Sequence, residues 1–147
     1  MAETRATATG PGRVLIAVYA VFALSATARA GVQLATRFHE APVAYLLSAL
    51  AGVVYILATI GLARTGPAAR RLAWTAVSVE LTGVLVVGTL SLADHAAFPR
   101  STVWSDYGSG YGWVPLVLPV IGMAWLRRTG RAAPAPATPR PGADSAQ

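Results

Sequence analysis

From Val43 to Ala63 the chain runs 21 residues without a charged side chain. About 20 mostly apolar residues are what an α-helix needs to cross the hydrocarbon core of a bilayer. No water is present there to satisfy backbone amides, so the helix must satisfy its own. A second run, Leu72–Ala93, spans 22 residues and carries one charge, Glu80. Two such runs in 147 residues constrain the fold class before anything else: the chain reads as all-α, built from membrane-spanning helices. Composition agrees. Charged residues make up 12%, against roughly 25% in soluble domains, and mean hydropathy is +0.52.

Two weaker runs flank these. Val14–Ala28 is uncharged, Arg29 interrupts, and Ala30–Ala35 resumes, so a segment reaching about Thr36 has spanning length. Val114–Leu126 is short and holds Pro115 and Pro119; taken back to Tyr107 it reaches 20 residues, through Tyr107-Gly-Ser-Gly-Tyr-Gly-Trp113. That stretch is either the pliable outer end of a full helix or an ordered loop before a shorter one. The two prolines lie on one helix face, where they kink a helix or free its carbonyls. Gly108 and Gly112 form a G-x-x-x-G suited to close helix approach, with Gly110 between them favouring a tight loop instead.

The expected architecture is a four-transmembrane-helix bundle with up-down topology over 13–128. Its helices fall at about 14–36, 43–63, 72–93 and 107–126. A flexible N-terminal tail, 1–12, precedes it, and a disordered Pro/Ala-rich tail, 129–147, follows. One alternative concerns the first segment. Arg5 and Arg13 precede the apolar Val14–Leu24, and Ala26-Thr27-Ala28 fits the cleavage pattern of a signal peptide. A retained helix is the preferred reading, because Gly31–Ala35 prolongs the apolar stretch.

All 12 basic residues are arginine, which with abundant Ala, Gly and Pro suggests a GC-rich bacterial genome. Positive charge in short flanking segments marks the cytoplasmic side. With four helices the N-tail, middle loop and C-tail share a side. They hold Arg5, Arg13, Arg64, Arg70, Arg71, Arg127, Arg128, Arg131 and Arg140, nine of the twelve, against Arg37 and Arg100 opposite. Both termini are therefore expected in the cytoplasm, in a multi-pass protein of the bacterial plasma membrane. Trp74 and Trp125 fall at the inner boundary. Tyr45, Trp104, Tyr107, Tyr111 and Trp113 fall at the outer one, as an aromatic belt would. Because the arginines gather at helix ends, the net charge of +6 serves topology and lipid contact; no nucleic-acid partner is expected.

Two charges are left that topology does not explain, Glu80 and Arg29. An ionisable group at the bilayer centre costs about 3 kcal/mol on insertion scales and is a functional suspect by default. Counted from Arg71, Glu80 lies roughly 14 Å up its helix; counted from Arg13, Arg29 lies roughly 24 Å up. A long arginine closes that gap only in part. Tyr55 comes to the depth of Glu80 and is the expected structural polar partner. A glutamic acid facing an apolar bundle interior as the neutral form donates a hydrogen bond.

Ser25, Arg29, Gln33 and Arg37 recur every fourth residue, along one face of the first helix. In lipid such a face turns toward other helices or a wet cavity. A pocket open to the outside would take Arg29, Gln33 and Glu80, with Trp104, Asp106 and Tyr107 from the outer loop, as its ligand-binding residues. His39-Glu40 and Asp94-His95 stand just beyond helix ends and would ligate a metal only if their loops converged. No metal and no cofactor is expected. The absence of cysteine removes disulfides, thiolate metal sites and a cysteine nucleophile. Nucleotide-binding loops, a serine-nucleophile elbow and H-E-x-x-H are also missing, so no catalytic residues are assigned.

Three stretches carry a resemblance. They are Arg37-Phe-His-Glu-Ala-Pro-Val-Ala-Tyr-Leu-Leu-Ser-Ala-Leu50, Val79-Glu-Leu-Thr-Gly-Val-Leu85, and Thr102-Val-Trp-Ser-Asp-Tyr-Gly-Ser-Gly-Tyr-Gly112 running into Pro115-Leu-Val-Leu-Pro119. Over about 13–128 the chain resembles a group of small, uncharacterised four-helix integral membrane proteins of actinobacteria. The resemblance implies a membrane location and no chemistry. The expected function is a non-enzymatic accessory or scaffold subunit of an envelope complex, associating with other membrane proteins or with itself. The alternative is a small transporter or binding protein with a polar pocket open to the outer face.

Overall fold

The computed structural model describes residues 10–131. The expected tails, 1–12 and 129–147, lie outside these residues except where their inner ends join the first and last helices. Every regular element described is helical: α1 Pro11–Arg37, α2 Pro42–Ala63, α3 Pro67–Ala93 and α4 Val114–Arg131, with 3-10 segments at Phe38–Glu40 and Ser105–Tyr111. Three helices, α1 to α3, are long and apolar enough to cross a membrane. A fourth span exists only if α4 is counted together with Ser105–Tyr111, from which it is bent by 98°.

Local chemistry places the helix starts. Pro11, Pro42 and Pro67 open the first three helices, where a missing N–H costs nothing because first-turn amides have no intrahelical partner. Inside the helices, hydroxyls bond back to the carbonyl four residues earlier. Ser48 donates to Ala44, Thr59 to Tyr55, Thr82 to Ser78 and Thr89 to Leu85. Each polar group is thereby satisfied within its own helix.

α1 packs on α2, α2 on α3 and α3 on α4, while α1 and α4 touch only lightly. Small residues set the spacing. A Cβ at Gly61 would lie 2.6 Å from the backbone nitrogen of Ala73, and one at Gly52 would lie 2.9 Å from Thr27 Oγ1. Ala23, Ala26, Ala51, Ala58, Ala73 and Ala76 are buried, whereas Val14, Leu24, Val53, Leu85, Leu90 and Val120 stand exposed. Small residues inside and large aliphatics outside is the pattern of helices that associate by close backbone packing. At the far end, Arg70 near the start of α3 donates to the Leu126 carbonyl and, at 3.3 Å, to Thr129 Oγ1. It ties the start of α3 to the last turns of α4, at a carbonyl that Thr129 Oγ1 also bonds.

The fourth apolar segment departs from a 107–126 helix. Gly112 and Trp113 take left-handed φ of 64° and 58°, so α4 begins only at Val114. Pro115 falls in its first turn and Pro119 inside it, both fully buried. The glycine-rich stretch is thus an ordered 3-10 segment lying across the helix ends.

Gly61→Ala is expected to lower the melting temperature of the detergent-solubilised protein, at an overpacking cost of about 1–3 kcal/mol. Gly31→Ala, whose Cβ would meet nothing within 4 Å, should leave melting unchanged or raise it slightly. Equal melting of the two variants would show that α2 and α3 are not held at this distance.

Candidate polar site at the outer end of the helices

The centre of the molecule holds one hydrogen bond between helices that do not pack on each other. Tyr19 of α1 donates to Glu80 Oε2 of α3 at 2.7 Å, and both side chains are wholly buried. Tyr19 shares the inward ridge of α1 with Leu15, Ala23 and Ala26. Gly122 of α4 leaves room for its hydroxyl, which a Cβ there would meet at 3.3 Å. The other carboxyl oxygen, Oε1, has no partner among the described residues.

Tyr55, the partner expected for Glu80, does not bond it. Its ring lies 6.3 Å from that of Tyr19, and its hydroxyl accepts from Trp104 Nε1 at 3.2 Å. Glu80 and Arg29 do not pair either. Counting rise along a helix gives height but not azimuth, and azimuth selects Tyr19.

Trp104 and Tyr45 are core residues rather than members of an outer belt, exposed by 1% and 2%. The Trp104 indole fills the place a Cβ of Gly83 would take, 2.6 Å away. It also walls an apolar recess between α2 and α3. After it, Asp106, Tyr107 and Gly108 adopt three successive left-handed conformations, φ 50°, 56° and 77°, costly for the two that are not glycine.

α3 holds this turn in place. The Asp106 N–H donates to Ser91 Oγ at 2.8 Å. The Tyr107 hydroxyl lies 2.9 Å from Thr89 Oγ1, with the Tyr107 ring packed over Gly88. Thr102 Oγ1 accepts from the N–H groups of Trp104 and Ser105, and Ser105 Oγ accepts from the N–H of Thr102.

Against this fixed segment α1 presents Arg29. The guanidinium donates to the Tyr111 hydroxyl and lies 6.0 Å from the ring centre. Five N–H donors belong to a guanidinium, so most remain free for a ligand. Arg29, Ser101, Thr102, Ser105, Asp106, Ser109, Gly110 and Tyr111 enclose a cavity of about 320 Å³. This polar cup holds one cation, one carboxylate and several hydroxyls. Tyr111 also walls a second cavity of about 190 Å³, lined by Val21, Phe22, Ser25, Ala26 and Val103.

Of the six residues read as ligand-binding, the structure brings Arg29 and Asp106 together. Gln33 lines an adjoining groove along α1 with Arg29 and Arg37. Glu80 stays at the centre, and Trp104 and Tyr107 pack on α3. Ser101, Ser105, Ser109 and Tyr111 join the cup although no sequence motif marks them. The loop acids have structural partners. Asp94 accepts from the N–H groups of Ala96 and Ala97, and Glu40 pairs with Arg100 at 3.3 Å. Among the described residues no three His, Asp or Glu side chains gather as metal ligands would. No protein-family model, curated protein or solved structure matches the chain.

Tyr19→Phe leaves the buried Glu80 carboxyl without a donor and should destabilise the protein by about 1–3 kcal/mol. Tyr45→Phe removes only a 3.4 Å contact to the exposed Glu40 and should cost less. The check is thermal unfolding of both variants in one detergent; equal losses would count against Tyr19 as the partner.

Proposed function

We propose that this is a non-enzymatic, multi-pass protein of the bacterial plasma membrane that binds a small polar ligand from outside, in the cup around Arg29. In this reading four helices stand in up-down order with both termini cytoplasmic. Pairings along the helices support the order. Thr27 and Phe22 of α1 meet Gly52 and Tyr55 of α2 respectively, and Arg70 and Val77 of α3 meet Leu126 and Gly122 of α4. In both cases the partner number moves in the opposite sense along the neighbouring helix. The arginine distribution supports the orientation. The bond from Tyr19 to Glu80 favours a retained first helix, since cleavage near Ala28 would remove the donor.

The observation that carries the binding function is the state of Arg29. Among the described residues only a neutral hydroxyl bonds it, so most of its donors remain for a ligand near the membrane interface, roughly 24 Å up α1. It faces Asp106 and serine hydroxyls across an open cavity. An accessory or scaffold role, with another membrane protein or a second copy as partner, rests on no comparable contact.

The lack of native cysteine makes the test direct. In intact cells Ser109→Cys should react with a membrane-impermeant maleimide, and Gly66→Cys only after permeabilisation. Millimolar inorganic phosphate should slow labelling of Ser109→Cys roughly twofold at half occupancy, an effect lost when Arg29→Gln is added. Labelling of position 66 from outside would overturn the orientation. Absence of phosphate protection would overturn the cup as an anion-accepting site.

A further inference from the structure

The polar cup and the apolar cavity beside it share Tyr111, and their contrast in lining has a chemical meaning. On α1 the apolar cavity begins at Ser25, one turn below Arg29, and extends to Val21, about 12 Å below it along the helix. Half of a hydrocarbon core is about 15 Å deep, so the cavity, about 6 Å long from Ser25 to Val21, lies within one leaflet and takes a segment of an acyl chain. It opens sideways, because Val21 is 61% exposed, Ser25 is exposed, and α1 and α4 touch only lightly. A hydroxyl-rich cup holding both charge signs therefore adjoins, across Tyr111, an apolar slot with an exposed wall.

We infer that the ligand of the cup is a zwitterionic phospholipid of the phosphoethanolamine type, with its headgroup in the cup and one acyl chain in the slot along Val21, Phe22 and Val103. This rests on the cup being a ligand site. The cup offers the Arg29 guanidinium to a phosphate, in the charge-assisted geometry that arginine favours. It offers the Asp106 carboxylate, with the exposed hydroxyls of Ser101 and Ser109, to a primary ammonium. The charges of the lining cancel, matching a headgroup whose own charges cancel. A trimethylated ammonium has no N–H for those acceptors, and a glycerol headgroup has no cation for the carboxylate. The acyl chain reaches the slot from the bilayer, while the polar headgroup meets the cup at its outer face.

The test uses the purified full-length protein in detergent, offered equal amounts of phosphatidylethanolamine and phosphatidylglycerol with the same chains, and counts bound lipid by native mass spectrometry. One phosphatidylethanolamine should bind in about tenfold preference, the effect of one charge-assisted hydrogen bond. Asp106→Asn should bring the two lipids to parity while keeping the fold, since asparagine tolerates the left-handed backbone at that position. Ser25→Trp fills the slot from its exposed wall and should abolish lipid binding while phosphate still protects Ser109→Cys.

Equal binding of the two lipids by the unmodified protein would overturn the headgroup assignment. Undiminished binding in Ser25→Trp would overturn the placement of the chain. If phosphate protects but neither lipid binds, the lipid inference fails alone. If phosphate protection is also absent, the cup itself has failed as a site.

Discussion

The hydrogen bond from Tyr19 to Glu80 sets the geometry of everything outward of it. α1 and α3 are not neighbours, and among the described residues this is the side-chain hydrogen bond that joins them across the centre. A buried carboxyl without a partner is costly, so the bond fixes the rotation of both helices about their axes. Arg29 lies ten residues beyond Tyr19 on α1, about 15 Å further along and roughly a quarter turn around. Once Tyr19 points at Glu80, Arg29 has one direction to face, and the Ser105–Tyr111 segment occupies it.

α3 performs the matching task on the other side. Its inward stripe runs from Glu80 through Val84 and Val87 to Ser91, and Gly83 and Gly88 flank that stripe. Glu80 meets α1, Gly83 receives the Trp104 ring, Gly88 receives Tyr107, and Ser91 accepts from Asp106. A turn with two non-glycine residues in left-handed conformation costs about 1–3 kcal/mol for each. It persists because α3 holds its middle through Ser91, Thr89 and Gly88, while Tyr55, Arg29 and Pro115 meet it from the other three helices.

Much of this was legible in the residues. Charge-free runs disclose the first three helices, and a low charged fraction singles out Glu80 and Arg29. Tyr19 was not legible, because an apolar run gives depth without rotation and a tyrosine among Leu and Ala reads as core. Trp104 looked interfacial, since aromatic residues beside a helix end ordinarily are; only contact with Gly83 shows the ring inserted. The turn at Asp106 and Tyr107 was hidden because neither residue type announces a left-handed backbone. A clue was present all the same: Gly83 and Gly88 interrupt an otherwise bulky span, and a glycine inside a helix marks where something large comes close.

Arg70, beside Arg71 in the first turn of α3, grips the far end of α4 through Leu126 and Thr129. α4 is the helix that does not reach spanning length and apolarity unaided. A helix of that length leans on its neighbour, and the side chain that secures its C-terminal end lies some sixty residues away in sequence. The two ends of α4 are thus held by different means, a buried proline turn against the Ser105–Tyr111 segment at one and a guanidinium from α3 at the other.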